Sequence, residues 1–244
     1  MYDACIIGGM GPAATAELFR RITLYTSADS DQEHIRLCIL SDPTVPDRSK
    51  YLLENAAPSP LKIIKKEIKA AKKLRCRSFA VACNTAHCFC RELENVRGIT
   101  FINMVKETCR YASFAYPGKR LCVLATEGAV KTDVYRKNSP APSEICYPSE
   151  VTQRLITDLI KEIKGGVEYG ESRCVSLVER IKTEFDEKET VFVLGCTELS
   201  LAAPCFTELT AVDSTDVLAG CIISASGKNF NKATFKPDTG FFMI

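Results

Sequence analysis

Ser78-Phe79-Ala80-Val81-Ala82-Cys83-Asn84-Thr85 is a short apolar run that ends in a thiol, followed by an amide and a hydroxyl. Thr190-Val191-Phe192-Val193-Leu194-Gly195-Cys196-Thr197-Glu198 repeats the pattern in the second half of the chain. Apolar runs this short and this continuous predict strands covered on both faces, as in a parallel sheet. Ligands of open parallel sheets bind outside the carboxyl ends of the strands. Both runs deliver their cysteine to that end.

Around each cysteine strand the same landmarks recur in the same order. Cys5-Ile6-Ile7-Gly8-Gly9-Met10-Gly11 reads as strand, glycine turn, then a helix through Thr15 to Tyr25. Leu121-Cys122-Val123-Leu124-Ala125-Thr126-Glu127-Gly128 reads likewise, with a helix through Val134. Second strands follow at Arg36–Ser41 and Glu144–Pro148, and closing strands at Thr100–Asn103 and Thr210–Asp213. Ile6 to Val123, Cys83 to Cys196 and Ile102 to Val212 span 117, 113 and 110 residues. Near-constant spacing predicts a duplicated unit. Amphipathic helices lie between the strands: Leu61, Ile64, Ile68, Ala71 and Leu74 mark one apolar face, Val151, Leu155, Leu159 and Ile163 a second, and Val175, Val178 and Ile181 a third. Alternating strands and helices predict an α/β fold with parallel sheets and right-handed crossovers. Tyr116-Pro117-Gly118-Lys119 is the boundary. It gives an N-terminal α/β domain over 1–116 and a C-terminal one over 117–226, whose last segment is allowed to cross back onto the first. The tail 227–244 fits no element.

Composition narrows the function. Hydrophobic residues make up 46% and charged residues 25% of 244, and 32 basic against 30 acidic side chains leave a net charge of +2. That balance argues against nucleic acid as a partner. The Lys-rich stretch from Lys62 to Arg77 is the wet face of a helix. No apolar run reaches the roughly 20 residues that cross a bilayer, so no membrane partner is expected. The start of the chain is strand-like and lacks a basic and apolar leader, so a cytoplasmic location is expected. The 13 cysteines fall mostly inside apolar runs, where Cys behaves as a small hydrophobe. A disulfide framework is not expected.

Several stretches carry candidate chemistry, each with a plainer alternative. Gly8-Gly9-Met10-Gly11-Pro12 lacks both nucleotide fingerprints. It is either a tight turn or a turn whose amides hold a carboxylate. Arg48, in Pro46-Asp47-Arg48, is either a two-pronged carboxylate grip or the partner of Asp47 on the surface. Cys83, His87, Cys88 and Cys90 offer an alternative use as zinc ligands, but the chain has no C-x-x-C pair, and no metal is expected. Cys83 with His34 or His87 forms a protease-like pair on paper; His87 is read as orienting. Lys164 before Gly165-Gly166 is ordinary helix-end chemistry. Two thiols at equivalent repeat positions remain: facing one another across a cleft, they can take a proton from one side of a carbon and return one from the other.

Gly8–Pro12 with Ala14-Thr15, Asp31–Ile35, Pro46-Asp47-Arg48, Cys83–His87, Leu124-Ala125-Thr126, Ile163-Lys164 with Gly166, Leu194–Leu199 and Asp213-Ser214-Thr215 together resemble the aspartate/glutamate racemase superfamily, and its aspartate racemase branch most. The resemblance implies two Rossmann-like (flavodoxin-like) domains related by a pseudo-twofold axis, with the active site in the cleft between them. It implies Cys83 and Cys196 as the catalytic acid/base pair of a cofactor-independent, two-base racemase of aspartate or glutamate. Met10, Arg48, Asn84, Thr85, Thr126, Lys164, Thr197 and Glu198 match substrate-binding positions. No cofactor is expected. A small acidic amino acid and a second copy in a homodimer are the implied partners. The alternatives are a relative such as a maleate-type isomerase or a decarboxylase, and a non-catalytic binder of acidic amino acids. His87-Cys88-Phe89-Cys90 and the Lys-containing tail lie outside the resemblance.

Overall fold

The computed structural model describes residues 1–54, 58–140, 144–166 and 171–243. Among these residues eight strands form two parallel sheets. The first contains β1 (Tyr2–Gly8), β2 (Leu37–Ser41), β3 (Cys76–Val81) and β4 (Thr100–Ile102), in the order β2-β1-β3-β4. The second contains β5 (Arg120–Leu124), β6 (Ile145–Cys146), β7 (Thr190–Leu194) and β8 (Ala211–Asp213), in the order β6-β5-β7-β8. The register repeats too. Cys5 pairs with Cys38 and Phe79, and Cys122 with Cys146 and Phe192. The repeat seen in the spacing is thus a repeat of topology.

The helices are α1 (Pro12–Tyr25), α2 (Arg48–Glu54), α3 (Leu61–Lys73), α4 (Cys90–Glu94), α5 (Met104–Ala115), α6 (Glu127–Lys131), α7 (Val134–Asn138), α8 (Glu150–Lys164), α9 (Glu171–Glu184), α10 (Thr197–Leu201) and α11 (Ser214–Ala225). Side chains alternate across each strand, so each sheet feeds two cores. Ala4, Ile6 and Ala80 from the first sheet and Leu121, Val123, Val191 and Val193 from the second share a central core with α1, α5 and α11. On the outer faces, α3 covers Cys5, Ile7, Phe79 and Val81 with Ile64, Ile68 and Ala71. The α8–α9 pair covers Cys122, Leu124, Phe192 and Leu194. Burying each of these large apolar side chains stabilises the fold by about 1.5–3 kcal/mol. The halves also exchange helices: α5 follows β4 but packs on β7 and β8, while α11 follows β8 but packs on β3 and β4. One continuous core therefore fixes the two sheets against each other and sets the cleft between their strand ends.

Some apolar faces differ from the sequence reading. In α8 the buried stripe is Thr152, Gln153, Ile156, Leu159, Ile160 and Ile163, whereas Val151 and Leu155 are exposed. Hydrogen bonds turn the helix: Gln153 Nε2 donates to the Ala125 carbonyl at 2.9 Å, and the Thr152 hydroxyl donates to Glu184. Leu74 and Val175 are likewise exposed, the first just beyond the end of α3 and the second beside the buried Cys174. The single helix expected after Gly128 is two, α6 and α7, broken where Asp133 takes a left-handed φ of 55°.

The tail, read from the sequence as fitting no element, is part of the core and carries a 3-10 helix over Thr239–Met243. Phe230 makes a bridge to Thr26, and Phe230, Phe235 and Phe242 are buried against α1, α5 and α11. One disulfide, Cys174–Cys205, ties α9 to the turn after α10, and the other cysteines are free thiols. It is a single tie rather than a framework.

Candidate active site

Both cysteines follow their strands by two residues. After β3 the Ala82 N–H still donates to Ile7, as the strand would, and the Cys83 N–H then turns back to Val81 at 2.8 Å. After β7 the Gly195 N–H donates to the Leu124 carbonyl at 2.8 Å, and Cys196 starts α10. Gly195 is required by close packing, since a Cβ there would stand 2.8 Å from Val123 Cγ1 and 3.1 Å from the Tyr135 ring. On the first strand Gly9 plays the matching part, with φ 85° and no room for a Cβ against the backbone of Asp42.

The two thiols line one cavity. Met10, Arg48, Cys83, Asn84, Thr85, Thr126, Lys164, Cys196, Thr197 and Glu198, all ten of the site residues expected from the sequence, border it together with Asp47 and Ser49. Its volume is about 10 Å³, the space of a single water molecule. A wider depression of about 560 Å³ lies outside it and shares Met10, Asp47, Arg48, Lys164 and Glu198 with it. Those side chains stand between outer depression and inner cavity.

The two halves meet at this point through matched polar groups. The Thr85 and Thr126 hydroxyls are hydrogen-bonded across the cleft at 2.7 Å. Asn84 is held at both ends of its amide: Oδ1 accepts from Tyr135 Oη at 2.7 Å, and Nδ2 donates to Ser214 Oγ at 3.1 Å. Ser214 in turn donates to the Leu194 carbonyl, at the end of β7. An amide nitrogen carries two N–H groups, so one remains beyond the Ser214 bond.

Charge is distributed unequally between the thiols. The Cys196 thiol donates to Glu198 Oε2 at 2.9 Å. Burial, then the Glu198 carboxylate, push its pKa well above that of a free cysteine, against the pull of Lys164. Beside Cys83 stands Arg48, a buried guanidinium. Burial opposes the Arg48 charge, but the Cys83 sulfur, Asp47 and Glu198 outweigh that and raise its pKa. Arg48 is not a surface partner of Asp47. Its Nη1 donates to the Val45 and Pro46 carbonyls and its Nη2 to the Met10 carbonyl. Lys164 Nζ is 4.0 Å from Glu198 Oε1, and burial of the ammonium is outweighed by Glu198 and both sulfurs, so its pKa is raised. Two buried polar atoms lack hydrogen-bond partners here, the Arg48 Nε donor and the Glu198 Oε1 acceptor. Gly11, the N-cap of α1, has room for a Cβ only 3.0 Å from Glu198 Oε1. The positive end of the α1 dipole therefore approaches that carboxylate.

The glycine turn before α1 does not offer all its amides to a ligand, since the Gly9 N–H donates to Thr15 Oγ1 at 3.0 Å. His87 is fully buried and neutral. Its Nε2 accepts from the Met104 N–H at 3.2 Å, so Nδ1 carries the proton and donates to the Cys83 carbonyl at 2.9 Å. Both ring nitrogens are committed to backbone, which suits an orienting group and not a metal ligand or a base.

Comparison with known proteins places the chain in a family. The family model for Asp/Glu/Hydantoin racemase matches residues 7–222. The chain belongs to the Asp/Glu/hydantoin racemase family. Like the family, it is an isomerase of the racemase type. It is 25% identical over 235 residues to the broad specificity amino-acid racemase RacX of Bacillus subtilis (strain 168), covering 90% of this chain and 96% of that one. Its fold is similar to Picrophilus torridus aspartate racemase, with a TM-score of 0.82 and 26% identity over 99% of both chains. It also resembles an aspartate racemase homologue from Pyrococcus horikoshii OT3, with a TM-score of 0.72 and 20% identity over 93% of this chain and 100% of that one.

Two neighbours of the candidate site escape the sequence. Tyr135 reaches Asn84 from α7, and no spacing marks it, because the helix break at Asp133 decides where it points. Ser214 is visible only as part of Asp213-Ser214-Thr215, and its link to Asn84 across the cleft arises from the packing of α11 on the first sheet.

Proposed function

We propose that this protein racemises an acidic amino acid, aspartate or glutamate, without a cofactor, using Cys83 and Cys196 as the two bases. The observation that carries the reading is that both thiols border one small buried cavity, each from the equivalent strand end of its own half. A thiolate on one side removes the α-proton as the thiol on the other gives its proton to the opposite face. Each turnover leaves the two protonation states exchanged, ready for the other enantiomer. At the start Cys196 is the thiol, bonded to Glu198, and Arg48 is the buried cation beside Cys83.

The α-proton of an amino acid is weakly acidic, so the developing carbanion needs donors aimed at the α-carboxylate. Asn84, Thr85, Thr126 and Thr197 are the side chains in reach, and a preorganised donor of this kind contributes about 3–4 kcal/mol. Arg48 and Lys164 would hold the side-chain carboxylate, and Glu198 Oε1, which has no hydrogen-bond partner, the α-ammonium. The inner cavity is too small for an amino acid as it stands, so binding requires Arg48, Lys164 and Glu198 to yield toward the outer depression.

The test is direct. Purified protein, treated with a chelator and freed of pyridoxal phosphate, is incubated with L-aspartate or L-glutamate, and the enantiomers are separated. Racemisation of either supports the reading. Binding of both without racemisation would favour the non-catalytic acidic amino-acid binder.

A further inference from the structure

A second cluster of thiols lies away from the cleft. Cys5 on β1, Cys38 on β2 and Cys76 at the start of β3 bring their three sulfurs within 4.8 Å of one another. Cys5 and Cys38 are direct register partners, and Cys76 enters from the strand on the other side of β1. All three point to the outer face of the first sheet, into the apolar layer made by Ile64, Ile68 and Ala71 of α3. Seven residues of chain separate Cys76 from Cys83, roughly 20 Å at strand rise, so this cluster is independent of the catalytic pair. It also stands whether or not the proposed function does.

We propose that Cys5, Cys38 and Cys76 form a binding site for one thiophilic ion in three-coordinate form, Cu(I). The donor set selects the ion. Three sulfurs and, among the described residues, no histidine or carboxylate make up the cluster. Hard cations need oxygen ligands. Zinc takes four ligands in closed protein sites, and iron–sulfur clusters take four as well; a fourth is missing here. Soft thiolates suit Cu(I). A metal–thiolate bond of about 2.3 Å puts three trigonal sulfurs about 4 Å apart, within the spacing found.

Burial acts in the same direction. Cys5 is sealed, and Cys38 and Cys76 keep 9% and 5% of their surface, which leaves little room for water. The second sheet provides an internal contrast. Cys122 and Cys146 occupy the register of Cys5 and Cys38, but β7, Thr190–Leu194, brings no third thiol.

The reduced full-length protein is titrated anaerobically with Cu(I) buffered by bathocuproine disulfonate, and retained copper is measured after desalting. One ion per chain is expected, with three sulfur neighbours in the copper X-ray absorption spectrum. Cys38→Ser and Cys76→Ser should each weaken retention at least about a hundredfold, while Cys146→Ser and Cys205→Ser hold the ion as the parent does. The absorption spectrum needs no variant, so the proposal stays testable if a substitution prevents folding. Two-sulfur coordination, equal retention by Cys76→Ser, loss in Cys146→Ser, or Zn(II) held in preference to Cu(I) would each overturn it.

Discussion

The thiol of Cys196 donates to Glu198 Oε2 at 2.9 Å, two residues along the same chain and inside the cavity that Cys83 borders from the other half. Glu198 accepts the hydrogen bond of the Cys196 thiol while Arg48 faces the other sulfur, so the two cysteines have unlike surroundings. Glu198→Gln should remove the charge that helps to raise the Cys196 pKa. The expected result is a kcat lowered by roughly 10²–10⁴-fold, with the basic limb of the kcat/KM profile shifted to lower pH. An unchanged profile would detach Glu198 from the chemistry.

Arg48 holds three backbone carbonyls and keeps one N–H unpartnered. Arg48→Lys retains the charge and loses the fork, which is not a conservative change at such a site. KM for aspartate should rise at least tenfold, and the loss of the carbonyl contacts should lower the melting temperature as well. A KM equal to that of the parent would assign Arg48 to loop structure alone.

His87 ties stability to pH. Its folded pKa is lowered to about 4 by burial, against about 6.5 unfolded. The unfolded chain therefore binds the extra proton between these values, and stability falls as pH drops from about 6.5 to 4. Full protonation costs about 3 kcal/mol. Denaturant unfolding across this range should show that loss in the parent and a shallower slope in His87→Gln. Parallel slopes would contradict the buried neutral assignment.

Phe242 closes the central core from the end of the chain. Phe242→Ala should cost about 3–5 kcal/mol in denaturant unfolding, and a chain ending at Ser226 should not fold. A stable truncated chain would show the tail to be dispensable.

Much of this was legible in the sequence because a buried parallel strand writes itself as an uninterrupted apolar run, and a duplication writes each run twice. The cysteine positions follow from the same rule, since strand ends are where side chains leave the sheet. Helix faces were less legible. Val151 and Leu155 are apolar at helical spacing yet exposed, because Thr152 and Gln153 form hydrogen bonds inward. The tail's aromatic residues show no period, since Phe230 and Phe235 lie on irregular chain and the 3-10 helix that carries Phe242 is too short to write one. Tyr135 and Ser214 needed the third dimension, as did the Cys5–Cys38–Cys76 cluster, whose members are far apart in the chain and meet only through strand pairing.

The most direct measurement is α-deuterium incorporation in deuterium oxide by Cys83→Ser and Cys196→Ser, each followed by proton NMR from L- and from D-aspartate. Two opposed thiols predict that both variants lose racemisation, and that each still exchanges the α-proton of one enantiomer only, opposite enantiomers for the two. Racemisation at the parent's rate in either variant, or exchange of the same enantiomer by both, would contradict a pair of bases on opposite faces of one carbon.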